Sequence, residues 1–174
     1  MLTAVGPDRP GIVDDLTGHL HAGGANLLDS RMVNLRGQFA VVLLMEFPDA
    51  AAGEVLAADL PRVGEQIGLR LAVTHQAPPA GRTSPAAAGV PYRLKTYSTD
   101  RPGIVHGVAH LLQQHGVNIE ELETRQESAP FAGTPLFLME MRLTVPPGVP
   151  LRKLRGELES LCASLNCDVD LEPA

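Results

Sequence analysis

Along the chain, short stretches of alternating or apolar residues are separated by longer stretches with helical spacing, and this order occurs twice. Leu2 to Val5 and Tyr92 to Ser98 read as short strands. Each is followed by a helix opened by Asp-Arg-Pro-Gly, with proline suited to a first helical position and aspartate suited to cap free N–H groups. In the second helix of this kind Ile104, Val108, Leu111 and Leu112 form one apolar stripe, and Gly116 ends it. Strands follow from about Asn26 to Leu35 and Asn118 to Gln126, and Arg36-Gly37 turns the former into a third strand. Third strands at Phe39 to Phe47 and Leu136 to Val145 are the most apolar segments. Second helices, about Gly53 to Ile67 and Val149 to Leu165, precede last strands at Leu69 to His75 and Cys167 to Leu171.

The repetition is also literal. Asp8-Arg9-Pro10-Gly11-Ile12-Val13 recurs unchanged as Asp100-Arg101-Pro102-Gly103-Ile104-Val105, and Gly24-Ala25-Asn26 recurs in the same register as Gly116-Val117-Asn118. Leu44-Met45-Glu46 matches Leu138-Met139-Glu140 at a slightly larger offset, which implies two extra residues in the second copy, within the Ser/Pro/Gly-rich stretch from Ser128 to Pro135. The chain therefore divides into domains at 1–76 and 92–174, joined by a Pro/Ala/Gly-rich linker at 77–91. The expected fold class is α+β: two ferredoxin-like βαββαβ domains, each a four-stranded antiparallel sheet with two helices on one face. Phe137, Met139, Met141 and Leu143 are expected to face the helices. Val42, Leu44, Leu136 and Leu138 then make the opposite face apolar, so a second domain or subunit is expected to cover it.

Composition narrows the function. Apolar residues are 44% and charged residues 20% of the chain, as in globular proteins, and the net charge of −6 with no basic run argues against direct nucleic-acid binding and anionic membranes. No apolar run approaches the roughly 20 residues that span a bilayer, and no signal-peptide pattern opens the chain, so a cytoplasmic protein is expected. Cys162 and Cys167 lack the spacing of a zinc or redox pair and read as buried thiols. No nucleophile elbow, phosphate loop or nucleotide fingerprint appears, so no catalytic residue, metal or cofactor is expected. His106 and His110 have metal-ligand spacing but no further ligand, and they lie off the apolar stripe. Glu120, Glu121, Glu123 and Glu127, with Arg125 among them, read as a solvated face or a charged partner-binding edge.

With Asp-Arg-Pro-Gly-Ile-Val followed by Gly-x-Asn at the start of a strand, the chain resembles the ACT domain family of small-molecule sensors, across both copies. Two such domains without an attached enzyme are similar to the glycine cleavage system transcriptional repressor family. The resemblance implies a regulatory protein rather than an enzyme, acting on a transcription factor or enzyme, and forming a homodimer. It also implies an amino-acid ligand held between adjacent ACT domains by the loop of one and the Gly-x-Asn segment of another. The ligand-binding residues carried over are Asp8, Pro10, Gly11 and Asn26 with Asp100, Pro102, Gly103 and Asn118. Physical chemistry agrees: a helix start offers N–H groups and a positive dipole end to a carboxylate, and an asparagine amide both donates and accepts. Two other readings stay open, a detached regulatory half of an amino-acid or one-carbon metabolism enzyme and a protein-binding ACT scaffold without ligand.

Overall fold

The computed structural model describes residues 1–75, 89–99, 102–128 and 135–174. Most of the 77–91 linker and Asp100 lie outside these residues. The chain resolves into two compact units, Met1–Ala80 and Gly81–Ala174.

In the first unit the order is β1 (Leu2–Pro7), α1 (Ile12–Ala22), β2 (Asn26–Leu35), β3 (Gln38–Glu46), α2 (Ala50–Ile67) and β4 (Arg70–Val73). In the second it is β5 (Val90–Thr99), α3 (Ile104–Gln114), β6 (Asn118–Ser128), β7 (Pro135–Val145), α4 (Leu151–Ser164) and β8 (Cys167–Pro173). Each unit forms one antiparallel sheet, ordered β2-β3-β1-β4 and β6-β7-β5-β8, so the two copies share one topology. In each unit both helices connect strands that are consecutive in sequence but not neighbours in the sheet, which places this order in the split βαβ class.

Helical periodicity sets each core. In the first unit Ile12, Leu16 and Leu20 of α1 and Leu56, Leu60, Val63 and Ile67 of α2 are buried against Leu2, Ala4, Phe39, Val41 and Leu43. The second unit buries Ile104, Val108 and Leu112 with Leu154, Leu158 and Cys162 against Leu94, Met139, Met141 and Leu143. The β2–β3 hairpin closes on Arg36 and Gly37 at φ 52° and 81°, the paired left-handed conformations of a two-residue hairpin turn. Helix α2 starts at Ala50, three residues before the expected Gly53, because the Asp49 side chain accepts the Ala52 N–H at 2.8 Å. Helix α4 starts at Leu151, and α3 ends at Gln114 with His115 as its C-cap and Gly116 beyond it at φ 65°.

Strand register corrects the alignment of the copies. Leu2 pairs with Leu43 and Leu94 with Met141, while Val5 pairs with Ala40 and Tyr97 with Leu138. With β1 and β5 offset by 92 (94 − 2), β3 and β7 are therefore offset by 98 (141 − 43), not 94. The second copy's longer hairpin thus holds six extra residues rather than two. Structural equivalents are Phe39 with Phe137 and Glu46 with Thr144; Glu46 does not correspond to Glu140. The offset of 98 persists through the second helices, Leu60 with Leu158, and into the last strands, Val73 with Leu171.

These equivalences expose different core solutions. A Cβ on Gly6 would stand 2.6 Å from the Gly68 carbonyl oxygen, and one on Gly64 would stand 2.5 Å from the Leu69 carbonyl oxygen. Both positions exclude a side chain. Their counterparts are Ser98 and Cys162, buried among Thr96 and Cys167. The outer sheet faces differ as well. Val5, Val33, Val42 and Leu44 stay exposed on the first sheet, as expected. The second sheet's outer face is mostly charged: Arg93 pairs with Glu140 at 3.1 Å, Lys95 with Glu172 at 3.7 Å and Arg142 with Glu121 at 3.5 Å. Leu136 and Leu138 are half-buried at one end of it, which corrects the expectation of a continuous apolar face there.

Candidate functional site

The Asp-Arg-Pro-Gly turn delivers glycine, not proline or aspartate, to the helix cap. Gly11 and Gly103 are the N-caps of α1 and α3, at φ 84° and 99°, and as glycines they supply no side-chain cap to either helix. Pro10 and Pro102 consequently precede the cap and are not first helical residues. Asp8 is no cap either. It sits three residues upstream, its N–H donates to the Gly37 carbonyl at 2.8 Å, and its carboxylate accepts the Asn34 side-chain amide. Asn34 in turn accepts the Gly37 N–H at 3.0 Å, so Asp8 ties the motif to the β2–β3 hairpin.

Arg9, which the sequence reading left without a role, staples the two helices. Its guanidinium donates to Asp15 at 2.6 Å and to the Ile67 carbonyl at the end of α2 at 3.2 Å. Among the described residues a Cβ on Gly11 meets only the Arg9 guanidinium, at 3.9 Å, and one on Gly103 meets nothing within 4 Å. In front of the first copy lies an open cleft of about 510 Å³ lined by Asp8, Arg9, Gly11, Asp14, Thr17 and Met32 among others. A glycine-capped helix start beside such a cleft suits an anion, through its N–H groups and the positive end of the helix dipole.

The asparagines of Gly-x-Asn are placed elsewhere. Asn26 opens β2, and its amide donates to Glu46 across the strand pair at 2.8 Å. Asn118 opens β6 and donates to Glu120 at 2.7 Å. That hydrogen bond, with a second from Thr144, holds the Glu120 carboxyl below its ordinary range. In both copies a β-bulge follows at once, at Leu28 and Glu120. The Asp8 turn stands at the other end of the sheet, where Leu35 pairs with Gln38. Asn26 follows the end of α1, where the Ala25 N–H donates to the Leu20 carbonyl, and Gly11 caps its start, so the 11-residue helix, about 16 Å long, separates Asn26 from Gly11 within one unit. The equivalent helix, α3, separates Asn118 from Gly103. One unit alone does not unite the two halves of the expected site.

The other candidates behave as ordinary surface or core. The His106 and His110 rings stack at 6.0 Å, and His110 contacts Gln114 at 3.1 Å. Among the described residues no group of three or more ligand-type side chains is placed to hold a metal. Of the β6 acids Glu120, Glu123 and Glu127 are exposed and Glu121 is half-buried; Glu121 pairs with Arg142 and Glu123 with Arg125, which holds the Glu123 carboxyl low. Cys162 and Cys167 are free and buried, and burial pushes the Cys162 thiol up to about 12, far from a nucleophile's range. No described helix is long and apolar enough to cross a membrane.

Residues 1–74 match the model of the ACT domain family. Over 166 residues, 95% of this chain and 85% of the relative, the sequence is 25% identical to the glycine cleavage system transcriptional repressor of Escherichia coli. A crystal structure of an unknown protein from Galdieria sulphuraria superposes with a TM-score of 0.74 at 30% identity, covering 99% of this chain and 96% of that one. The crystal structure of a candidate glycine cleavage system transcriptional repressor superposes with a TM-score of 0.71 at 22% identity, covering 98% and 94%. The first unit thus matches the ACT domain family, the second repeats its βαββαβ topology and its helix-start motif, and the chain over nearly its whole length is related to the glycine cleavage system transcriptional repressors.

Proposed function

We propose that this protein is a non-catalytic regulator that senses a small amino acid or similar carboxylate and acts by direct contact on a protein partner, a transcription factor or an enzyme. The observation that carries this reading is the glycine N-cap at the helix start in both copies, which brings no side-chain cap of its own and in the first copy faces an open cleft. A carboxylate there accepts the first-turn N–H groups, while an asparagine from a different ACT fold, Asn26 or Asn118, engages the ligand's amino group or second oxygen. Asp8, Pro10 and Gly11 shape the first turn and Pro102 and Gly103 the second; Asp100 completes the repeated motif but lies outside the described residues. In this reading the protein works in the cytoplasm as a homodimer, without metal or cofactor and without touching nucleic acid itself.

The test is a thermal-shift screen of the twenty amino acids, because a ligand that binds only the folded state raises the melting temperature. Each hit is then titrated by calorimetry against wild type and the variants Asn26→Ala, Asn118→Ala, Gly11→Val and Gly103→Val. Loss of an asparagine hydrogen bond costs about 0.5 to 1.5 kcal/mol against a neutral partner and more against a charged one. Unchanged affinity in all four variants places the ligand elsewhere. A screen without hits favours a protein that works by contact alone.

A further inference from the structure

The second unit sets both cysteines of the chain side by side in its core. Cys162 stands in the last turn of α4, Cys167 opens β8, and the turn between them passes through Asn166 at φ 52°. Their equivalents at an offset of 98 are Gly64 and Leu69, and a Cβ on Gly64 would stand 2.5 Å from the Leu69 carbonyl oxygen. The fold thus aims a side chain at the first of these positions into the backbone of the second. With cysteine at both, sulfur meets sulfur: the two thiols share a hydrogen bond, and Cys167 also donates to the Asp168 carbonyl at 3.3 Å. Among the described residues no third metal-ligating side chain joins the pair, and structural zinc takes four ligands.

Two hydroxyls border the thiols. Thr96 and Ser98 are buried in β5, Ser98 stands opposite Cys167 in the register, and neither hydroxyl has a partner among the described residues. The first unit carries Ala4 and Gly6 at the equivalent positions, so it has no counterpart to this cluster. A buried hydroxyl without a partner is costly, and one beside a sulfur gains a partner when that sulfur acquires an oxygen.

We propose that Cys162 and Cys167 form a dithiol–disulfide switch, oxidised by a hydroperoxide and reduced by a dithiol. Cys167, 7% exposed, is the attacking sulfur, and Cys162, at 0%, resolves the intermediate. The Cys167 sulfur attacks the hydroperoxide, the O–O bond breaks, and the displaced oxygen leaves with the Cys167 proton as alcohol or water. The sulfenic acid left on Cys167 hydrogen-bonds the Ser98 hydroxyl. Cys162 then attacks the Cys167 sulfur, the S–O bond breaks, and the hydroxide leaves with the Cys162 proton as water. Two thiols and one hydroperoxide give one disulfide, one alcohol or water and one further water, with two electrons passing from sulfur to oxygen. The disulfide ties the end of α4 to β8, and a dithiol reverses it by exchange.

The switch is independent of amino-acid sensing and is tested without any amino acid. The full chain is treated with hydrogen peroxide under native conditions, alkylated in denaturant and weighed by mass spectrometry. The expected product is a single chain that has lost two hydrogen atoms and both alkylatable thiols, and dithiothreitol restores both. In Cys162→Ala, with its fold verified by circular dichroism, the sulfenic acid on Cys167 persists and is captured by dimedone. Adding Ser98→Ala shortens the lifetime of that sulfenic acid, and an unchanged lifetime overturns the role given to the hydroxyl. Two thiols that stay alkylatable in the peroxide-treated native chain overturn the switch. So does oxidation that yields only disulfides between chains or only sulfinic and sulfonic acids.

Discussion

Replacing Thr96 by valine should make the protein more stable, an unusual sign for a change in a packed core. Thr96 lies on the helix side of β5, is 0% accessible, and sits between Met139 and Val169 in the register. Its hydroxyl has no hydrogen-bond partner among the described residues. A hydroxyl buried without a partner costs about 1 to 3 kcal/mol, and valine keeps the shape while replacing it with a methyl group. Allowing for imperfect fit, the gain is about 1 to 2 kcal/mol. For a unit of this size each kcal/mol moves the midpoint by about 4 to 8 °C. Thr96→Ser is the control: it keeps the hydroxyl and removes a buried methyl, worth about 0.8 kcal/mol, so it should lower the midpoint. Scanning calorimetry of the three proteins reads both effects. A valine variant that melts lower than wild type, beside a serine variant that melts unchanged, would show that the hydroxyl is bonded and refute the reasoning.

Two further outcomes follow from the packing and the charges. Gly64→Ala should destabilise by about 1 to 3 kcal/mol in urea unfolding, although alanine is the better helix former, because the new Cβ meets the Leu69 carbonyl at 2.5 Å. At the end of α3, His115 bonds Glu157 of α4 at 2.6 Å and holds that carboxyl below its ordinary value of 4.5. A carboxyl depressed in the folded state stabilises above its ordinary value and loses that contribution as pH falls through the depressed one. In an NMR titration His115→Ala should therefore return Glu157 towards 4.5, and the stability difference between the two proteins should shrink below that pH.

Much of the fold was legible because its signals are local. The repeated hexapeptide fixed two copies, and the four-residue spacing of Ile104, Val108 and Leu112 marked the buried side of its helix. The mistaken offset had a physical cause. Shifts of 94 and 98 are both even, so either one keeps Phe137, Met139 and Met141 on the buried face, and alternation cannot distinguish them. Only pairing with β5 does. The caps were misread because a left-handed glycine at position 11 moves the helix start past Pro10 and leaves Asp8 to the hairpin. Asp49 before Ala50 was the overlooked cap signal. The site was legible as a set of residues but not as a place, because Asn26 and Gly11 lie at opposite ends of α1 and one unit does not unite them. The charged outer face of the second sheet is written in the alternation of Arg93 and Lys95 and of Glu140 and Arg142, beside which Leu136 and Leu138 form only a short apolar end.

A chain that contains the same fold twice risks folding with its halves exchanged, since a strand of one copy has the right length and pattern to enter the other. The backbone contacts at Gly6 and Gly64 work against this. If β5 took the place of β1, Ser98 would thrust its side chain at the Gly68 carbonyl, where no Cβ fits. If α4 took the place of α2, Cys162 would do the same at Leu69. Steric incompatibility between equivalent positions thus acts as a sorting rule during folding, directing each half to its own partner elements while the motif at the helix starts stays identical in both.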